Sequence, residues 1–225
     1  MTQPDLGFVH QFVPAKDSDS PVVLLLLHGT GGNEQDLLPI GMQLQPGAAL
    51  LSPRGKVMEN GMPRFFRRLA EGVFDVDDLK FRTHELAEFV RSAAEQYGFQ
   101  EKNLVAIGYS NGANIASSLM LLHPHLLAGA VLFRPMVPFT MDFTPDLRDA
   151  HVLLASGKRD PIVPPEQVDR LAAMFEFAGA DVTIHWHDGG HELGQDDLTS
   201  AKNWLSQQSF SSHGKRHRHA GQQTT

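Results

Sequence analysis

The chain has 225 residues, 41% hydrophobic and 20% charged, with a formal net charge of −7 and no cysteine. That length suits one α/β unit with a substantial core, and the acidic balance turns the body of the protein away from nucleic acid. Without cysteine there is no disulfide, no thiolate-bound zinc and no thiol nucleophile. The first ten residues lack the basic stretch and apolar run of a signal peptide. The longest apolar run, residues 22–27, is far too short to span a bilayer. A cytoplasmic protein without stable membrane insertion is the expectation.

In chain order, short apolar runs alternate with helical patterns. Residues 8–14 suit an edge strand ended by Pro14. "PVVLLLLHG" is apolar on both faces, as a buried parallel strand is. "AALLSPRG", "NLVAIGY", "AGAVLFRP", "HVLLASG" and "DVTIHWH" complete a set of about seven strands. Helical stretches begin at Asp77, Gly112, Pro164 and Leu193. In the third of them Val168, Leu171, Ala172, Phe175 and Ala178 share one face, Pro165 suits the first turn and Gly179 the C′ position. The alternation predicts right-handed crossovers and a mostly parallel sheet with helices on both faces. Residues 56–78 show the least regular pattern and are expected to form a loop or short lid. Residues 209–225 are polar and basic and read as a disordered tail, whose histidines could bind a metal or an anion.

In sheets of this kind ligands bind beyond the carboxyl ends of the strands, and four chemical signals fall there. Ser110 lies in Gly108-Tyr109-Ser110-Asn111-Gly112, between a strand and a small-residue helix. A strand–turn–helix of this form exposes a serine at a helix N-terminus, where developing negative charge is favoured. The plain alternative is a capping serine in a structural turn. His28-Gly29-Thr30-Gly31-Gly32 ends an earlier strand. The N–H groups of Thr30 and Asn111 could together form an oxyanion hole. Asn33-Glu34 stands where a phosphate loop needs Gly-Lys-Ser/Thr, and Glu34 replaces the third glycine of a dinucleotide fingerprint.

Asp160 follows another strand and could orient a histidine, although an aspartate before proline is also an ordinary turn residue. Of twelve histidines, His191 lies in a glycine-flanked loop after the last strand. His185 and His187 share one strand face, and zinc held by these two with His191 is the competing reading. The order Ser110, Asp160, His191 is that of α/β-hydrolases.

"LLLLHGTGGNEQDLLPIG", "GYSNGANIA", "GKRDPIVP" and "DGGHELG" resemble the phospholipase/carboxylesterase family of α/β-hydrolases. "RRLAEGVFDVDDLKFRTHEL" and "LFRPMVP" are similar to its bacterial esterase branch, which includes hydrolases linked to hydroquinone resistance. The resemblance runs to about Leu205. It implies one α/β-hydrolase domain over residues 1–208 and a cofactor-free serine esterase acting on small carboxylic esters. It also implies Ser110, Asp160 and His191 as the triad, with Thr30 and Asn111 as oxyanion donors. Acyl-protein thioesterases of the family usually carry Gln after the serine and Gly-Asp in the oxyanion loop. Here Asn111 and Gly31-Gly32 stand in those places, which counts against long acyl chains. A lysophospholipase or thioesterase on longer chains is the runner-up, and a non-catalytic binding module on the same fold is the reading from another class.

Phe65, Phe66, Phe74 and Met136 could wall a substrate pocket. Arg134 could meet a substrate carboxylate or form a structural ion pair. The partner expected is a small-molecule ester, with no nucleic acid; a homodimer is left open.

Overall fold

The structure, a computed structural model, describes residues 5–16, 22–208 and 210. β1 (His10–Val13) and β2 (Val23–Leu27) precede helix α1 (Leu38–Leu44) and β3 (Ala49–Pro53). Two small hairpins follow, β4 (Val57–Glu59) with β5 (Met62–Arg64) and β6 (Arg68–Ala70) with β7 (Val73–Phe74). Then come α2 (Val76–Tyr97), β8 (Leu104–Tyr109), α3 (Asn111–Leu122), β9 (Gly129–Phe133) and β10 (His151–Gly157). α4 (Pro165–Phe177), β11 (Asp181–His187) and α5 (Gln195–Gln207) complete the chain.

The central sheet has the order β1-β3-β2-β8-β9-β10-β11. Only the β1–β3 pair is antiparallel. Every residue of β2, β3 and β9 is buried. A strand apolar on both faces needs a helix layer on each. One apolar cluster joins the sheet to α2, α3 and α4, and a second joins its other face to α1 and α5. The seven sheet strands are those the apolar runs predicted, with the 8–14 segment supplying the antiparallel edge.

The helices end where local chemistry ends them. Asp75 caps α2 by accepting the Asp78 N–H, and Gly98 closes it at φ 74°. Gly179 follows α4 at φ 95°, the left-handed conformation expected of a C′ glycine. α3 is buried from Asn111 to Leu121, because its Gly, Ala and Ser residues let it lie close to the sheet and to α2. Its buried hydroxyls are satisfied: Ser117 donates to Ala113 O, and Ser118 Oγ lies 2.7 Å from Thr83 Oγ1.

Of the loop or short lid expected over residues 56–78, the loop is corrected: the segment forms two hairpins and the start of α2. Asn60 and Gly61, at φ 52° and 80°, make the turn of the first hairpin. α1 was also unanticipated; it is two turns long, with a proline in its first turn. The predicted tail lies outside the described residues, apart from Phe210, which is buried beside Trp204. No helix among the described residues is long and apolar enough to cross a membrane.

From β2 the chain steps to β3 on one side. After α2 it returns to β8 on the other. The order reverses between β2 and β8, so the segments leaving their carboxyl ends diverge and open a crevice. Thr30 follows β2 and Ser110 follows β8, which places both at that crevice.

Candidate active site

Ser110 occupies a turn that few residues could accept. Its backbone is at φ 51°, ψ −111°, and its N–H is held by Phe133 O at 2.9 Å. A non-glycine residue in that region is strained and persists only where the surroundings fix it. Here two glycines do so. A β-carbon at Gly108 would sit 2.7 Å from Ala113 Cα, and one at Gly112 would overlap the Leu27 and His28 carbonyls. Because the Gly112 clash is with sheet backbone, Gly112→Ala is expected to cost at least about 3 kcal/mol. Thermal melting of the soluble fraction would show it, and a wild-type melting temperature would mean the turn has room to spare.

His191 Nε2 lies 3.0 Å from Ser110 Oγ, and its Nδ1 lies 2.7 Å from Asp160 Oδ2. The Asp160 side chain is fully buried, and its other oxygen accepts the N–H groups of Ile162 and Val163 at 2.8 and 3.0 Å. A carboxylate fixed on Nδ1 selects the tautomer with its proton there, which leaves Nε2 to accept from the serine hydroxyl. The His191 loop is held in turn. Tyr109 Oη donates to His191 O at 3.1 Å.

Opposite lies the Gly-rich loop after β2. His28 is buried; its Nδ1 donates to Gly29 O at 2.7 Å, and its Nε2 accepts the Gly55 N–H at 3.0 Å. Burial pushes its pKa below the ordinary histidine value, so the ring stays neutral and braces this loop against residue 55. Gly31 N–H donates to Pro63 O, and Arg64 Nη1 donates to Thr30 Oγ1 at 2.6 Å, so the first hairpin is stitched to the loop. Across the crevice Asn111 Oδ1 accepts the Phe65 N–H at 2.7 Å. As the first residue of α3, Asn111 has a backbone N–H with no intrahelical partner.

A model of the Phospholipase/Carboxylesterase family matches residues 9–209. The chain belongs to the phospholipase/carboxylesterase family. "Putative hydrolase MhqD" of Bacillus subtilis (strain 168) is 48% identical over 185 residues, which are 82% of this chain and 92% of that protein. The crystal structure of a Bacillus cereus carboxylesterase is 50% identical, with a TM-score of 0.87 over 90% of this chain and 95% of its own. The structure of YahD with malic acid is 32% identical, with a TM-score of 0.84 over 88% of this chain and 98% of its own. With this family and these neighbours, the chain is a carboxylic ester hydrolase on the α/β-hydrolase fold.

In this phospholipase/carboxylesterase chain Ser110, His191, Thr30 and Asn111 line one cleft of about 210 Å³, with Asp160 behind His191. Phe74 and Met136 line it as well. Phe65 and Phe66 do not: they are 2% and 0% exposed and pack under the hairpins, Phe65 on the His28 ring and Phe66 edge-on to Phe74. Arg134, read as either a carboxylate receptor or an ion-pair partner, has no exposed surface. Asp197 takes both its Nη atoms, at 2.8 and 2.7 Å. Its Nη2 and Nε also donate to Glu192 O and Gly190 O at 2.6 and 3.2 Å, the carbonyls on either side of His191. Of the β11 histidines, His187 is otherwise engaged: its Nδ1 accepts the Gly189 N–H at 2.9 Å and its Nε2 lies 3.6 Å from Asp197 Oδ1. Among the described residues no three His, Cys, Asp or Glu side chains gather as a metal site.

Sequence reasoning missed Arg64, Arg68 and Asn114, which also line the cleft, and Asp197 behind it. An arginine cluster in an acidic chain, "PRFFRRL", was the available signal for the first two.

Proposed function

We propose that the chain hydrolyses small carboxylic esters through an acyl-enzyme on Ser110. The observation that carries this reading is the unbroken hydrogen-bonded series from Ser110 Oγ through His191 to Asp160, at 3.0 and 2.7 Å. His191 Nε2 takes the hydroxyl proton as Oγ attacks the ester carbonyl, and Asp160 stabilises the imidazolium that forms. The N–H groups of Thr30 and Asn111 receive the oxyanion. His191 returns the proton to the leaving alkoxide, which departs as alcohol. A water, deprotonated by the same nitrogen, then releases the acid.

The size of the cleft favours small substrates over the long-chain alternative. Pockets for drug-sized ligands run from roughly 300 to 1,000 Å³, and this one holds about 210 Å³. YahD, a relative solved with malic acid, lends support to a small carboxylic ligand. A fluorophosphonate probe is expected to label Ser110, read by mass spectrometry. Across a p-nitrophenyl ester series kcat/KM is expected to peak at acyl chains of about two to four carbons. A maximum at long chains would favour the lysophospholipase or thioesterase reading, and absence of both labelling and turnover would leave the binding-module reading.

A further inference from the structure

The cleft wall is cationic in a chain whose net charge is −7. Its lining includes Arg64, Arg68 and Arg134, and among the described residues no aspartate or glutamate. Arg134 is neutralised by Asp197. Arg64 and Arg68 are not fully neutralised, because both pair with one carboxylate, Glu59, at 3.2 and 2.8 Å. Two guanidinium groups against one carboxylate leave about one positive charge beside the nucleophile.

We infer that Arg68, backed by Arg64, receives a free carboxylate of the substrate, so that the preferred esters are half-esters of small dicarboxylic acids. This rests on the reading of Ser110 as the nucleophile and adds the substrate class. The two arginines differ in what they can offer. Arg64 is 4% exposed in its side chain and is occupied by Thr30 Oγ1 and Phe66 O. It fixes the Thr30 loop and lends its charge. Arg68 is 28% exposed in its side chain. Glu59 takes its Nε and Nη2, and among the described residues no acceptor takes its Nη1.

Burial, then the charge of Arg68, lowers the pKa of Arg64, with Glu59 opposing. An arriving carboxylate supplies the second anion that this trio lacks. Asn114 adds a polar side chain to the same cleft. It stands one helical turn after the serine, and its Oδ1 accepts the Met136 N–H at 2.7 Å, which holds the side chain in place.

Two esters of matched length test this, mono-p-nitrophenyl glutarate and p-nitrophenyl valerate. The wild-type enzyme is expected to favour the charged ester by about tenfold or more in kcat/KM, the scale of one charge-assisted hydrogen bond. The preference should shrink as salt rises. Arg68→Gln is expected to remove it, and Arg68→Lys, which keeps the charge but loses the fork, to restore part of it. Succinate should compete with p-nitrophenyl valerate in the wild type and not in Arg68→Gln. If the wild type turns over both esters equally and succinate does not compete, the carboxylate site is wrong while the esterase reading stands. If a preference exists and Arg68→Gln keeps it, Arg68 is not the receptor. If neither ester is cleaved, the failure lies with the esterase reading itself. If Arg68→Gln fails to fold, the wild-type comparison still decides the substrate class, and the partial preference of Arg68→Lys decides whether Arg68 is the receptor.

Discussion

Ser110→Ala is expected to lower kcat on a short p-nitrophenyl ester by at least about 10⁴-fold and to abolish fluorophosphonate labelling. The size of the effect follows from what the hydroxyl alone supplies. With Thr30, Asn111 and the cleft in their proposed roles, the ester should still bind with its carbonyl polarised, so a residue of catalysis over water is expected to persist. Among the described residues no other oxygen is held on His191 Nε2. The variant should fold normally, because the strained backbone at Ser110 is imposed by Gly108 and Gly112 and by the Phe133 hydrogen bond, not by the hydroxyl. Its melting temperature is expected to equal or exceed that of the wild type, as happens when active-site polarity is removed. Asp160→Asn should cost a similar factor by another route. An amide on His191 Nδ1 permits the wrong tautomer, in which Nε2 carries a proton and cannot accept one. Retention of most of the activity by Ser110→Ala would remove the nucleophile from the mechanism.

Arg134→Met is expected to destabilise the protein by about 3–5 kcal/mol, a fall of roughly 10 °C in melting temperature for a chain of this size. Both members of the Arg134–Asp197 pair are wholly buried. Removing the cation leaves a buried carboxylate with the Gly194 N–H and, 3.6 Å from its Oδ1, His187 Nε2 as its remaining neighbours. Asp197 also accepts the Gly194 N–H at the start of α5, at 2.9 Å, so the helix entry loosens with it. The double variant Arg134→Met/Asp197→Leu should recover much of the lost stability, since apolar replacement of a buried pair is often tolerated.

Activity should not recover in parallel. Arg134 holds the carbonyls of Gly190 and Glu192, and without it the His191 loop keeps the Tyr109 hydrogen bond but loses those on either side of it. Stability and activity would then separate, and thermal melting with ester kinetics on both variants checks this. Equal recovery of both would mean that Arg134 serves only the core.

The same pair sets a pH dependence. Burial opposes ionisation of Asp197, but the hydrogen bonds from Arg134 and the Gly194 N–H, with the charge of Arg134, outweigh it and hold the carboxyl below its ordinary value. A group with a depressed folded pKa contributes stability that is complete above the unfolded value and is lost as pH falls through the folded one. Acid unfolding of the wild type should therefore draw on Asp197. In the double variant that contribution is gone.

Much of the fold was legible because its signals are local. The apolar runs at 23–27 and 104–109 are short and bounded by turn residues, which suits strands buried on both faces, and the order of strands and helices then leaves few topologies. The candidate site was legible for the same reason: Ser110, Asp160 and His191 each follow a strand, and in a parallel sheet those ends share one rim. The first hairpin was missed although its Asn60-Gly61 turn is a local signal, because its strands are only three residues long and show no alternation to weigh.

What the chain's order of residues determined by itself was the parallel sheet and which strand ends carry the reactive groups, since periodicity and turn chemistry act over a few neighbours. What only the tertiary structure decided was the fate of the side chains that periodicity does not sort. Phe65 and Phe66 go to the core while Phe74 and Met136 reach the cleft; Arg134 is spent on Asp197 while Arg68 keeps an open end. An arginine's partner is fixed by which carboxylate lies within reach after folding, 63 residues away for Arg134 and nine for Arg68. No local pattern encodes that distance.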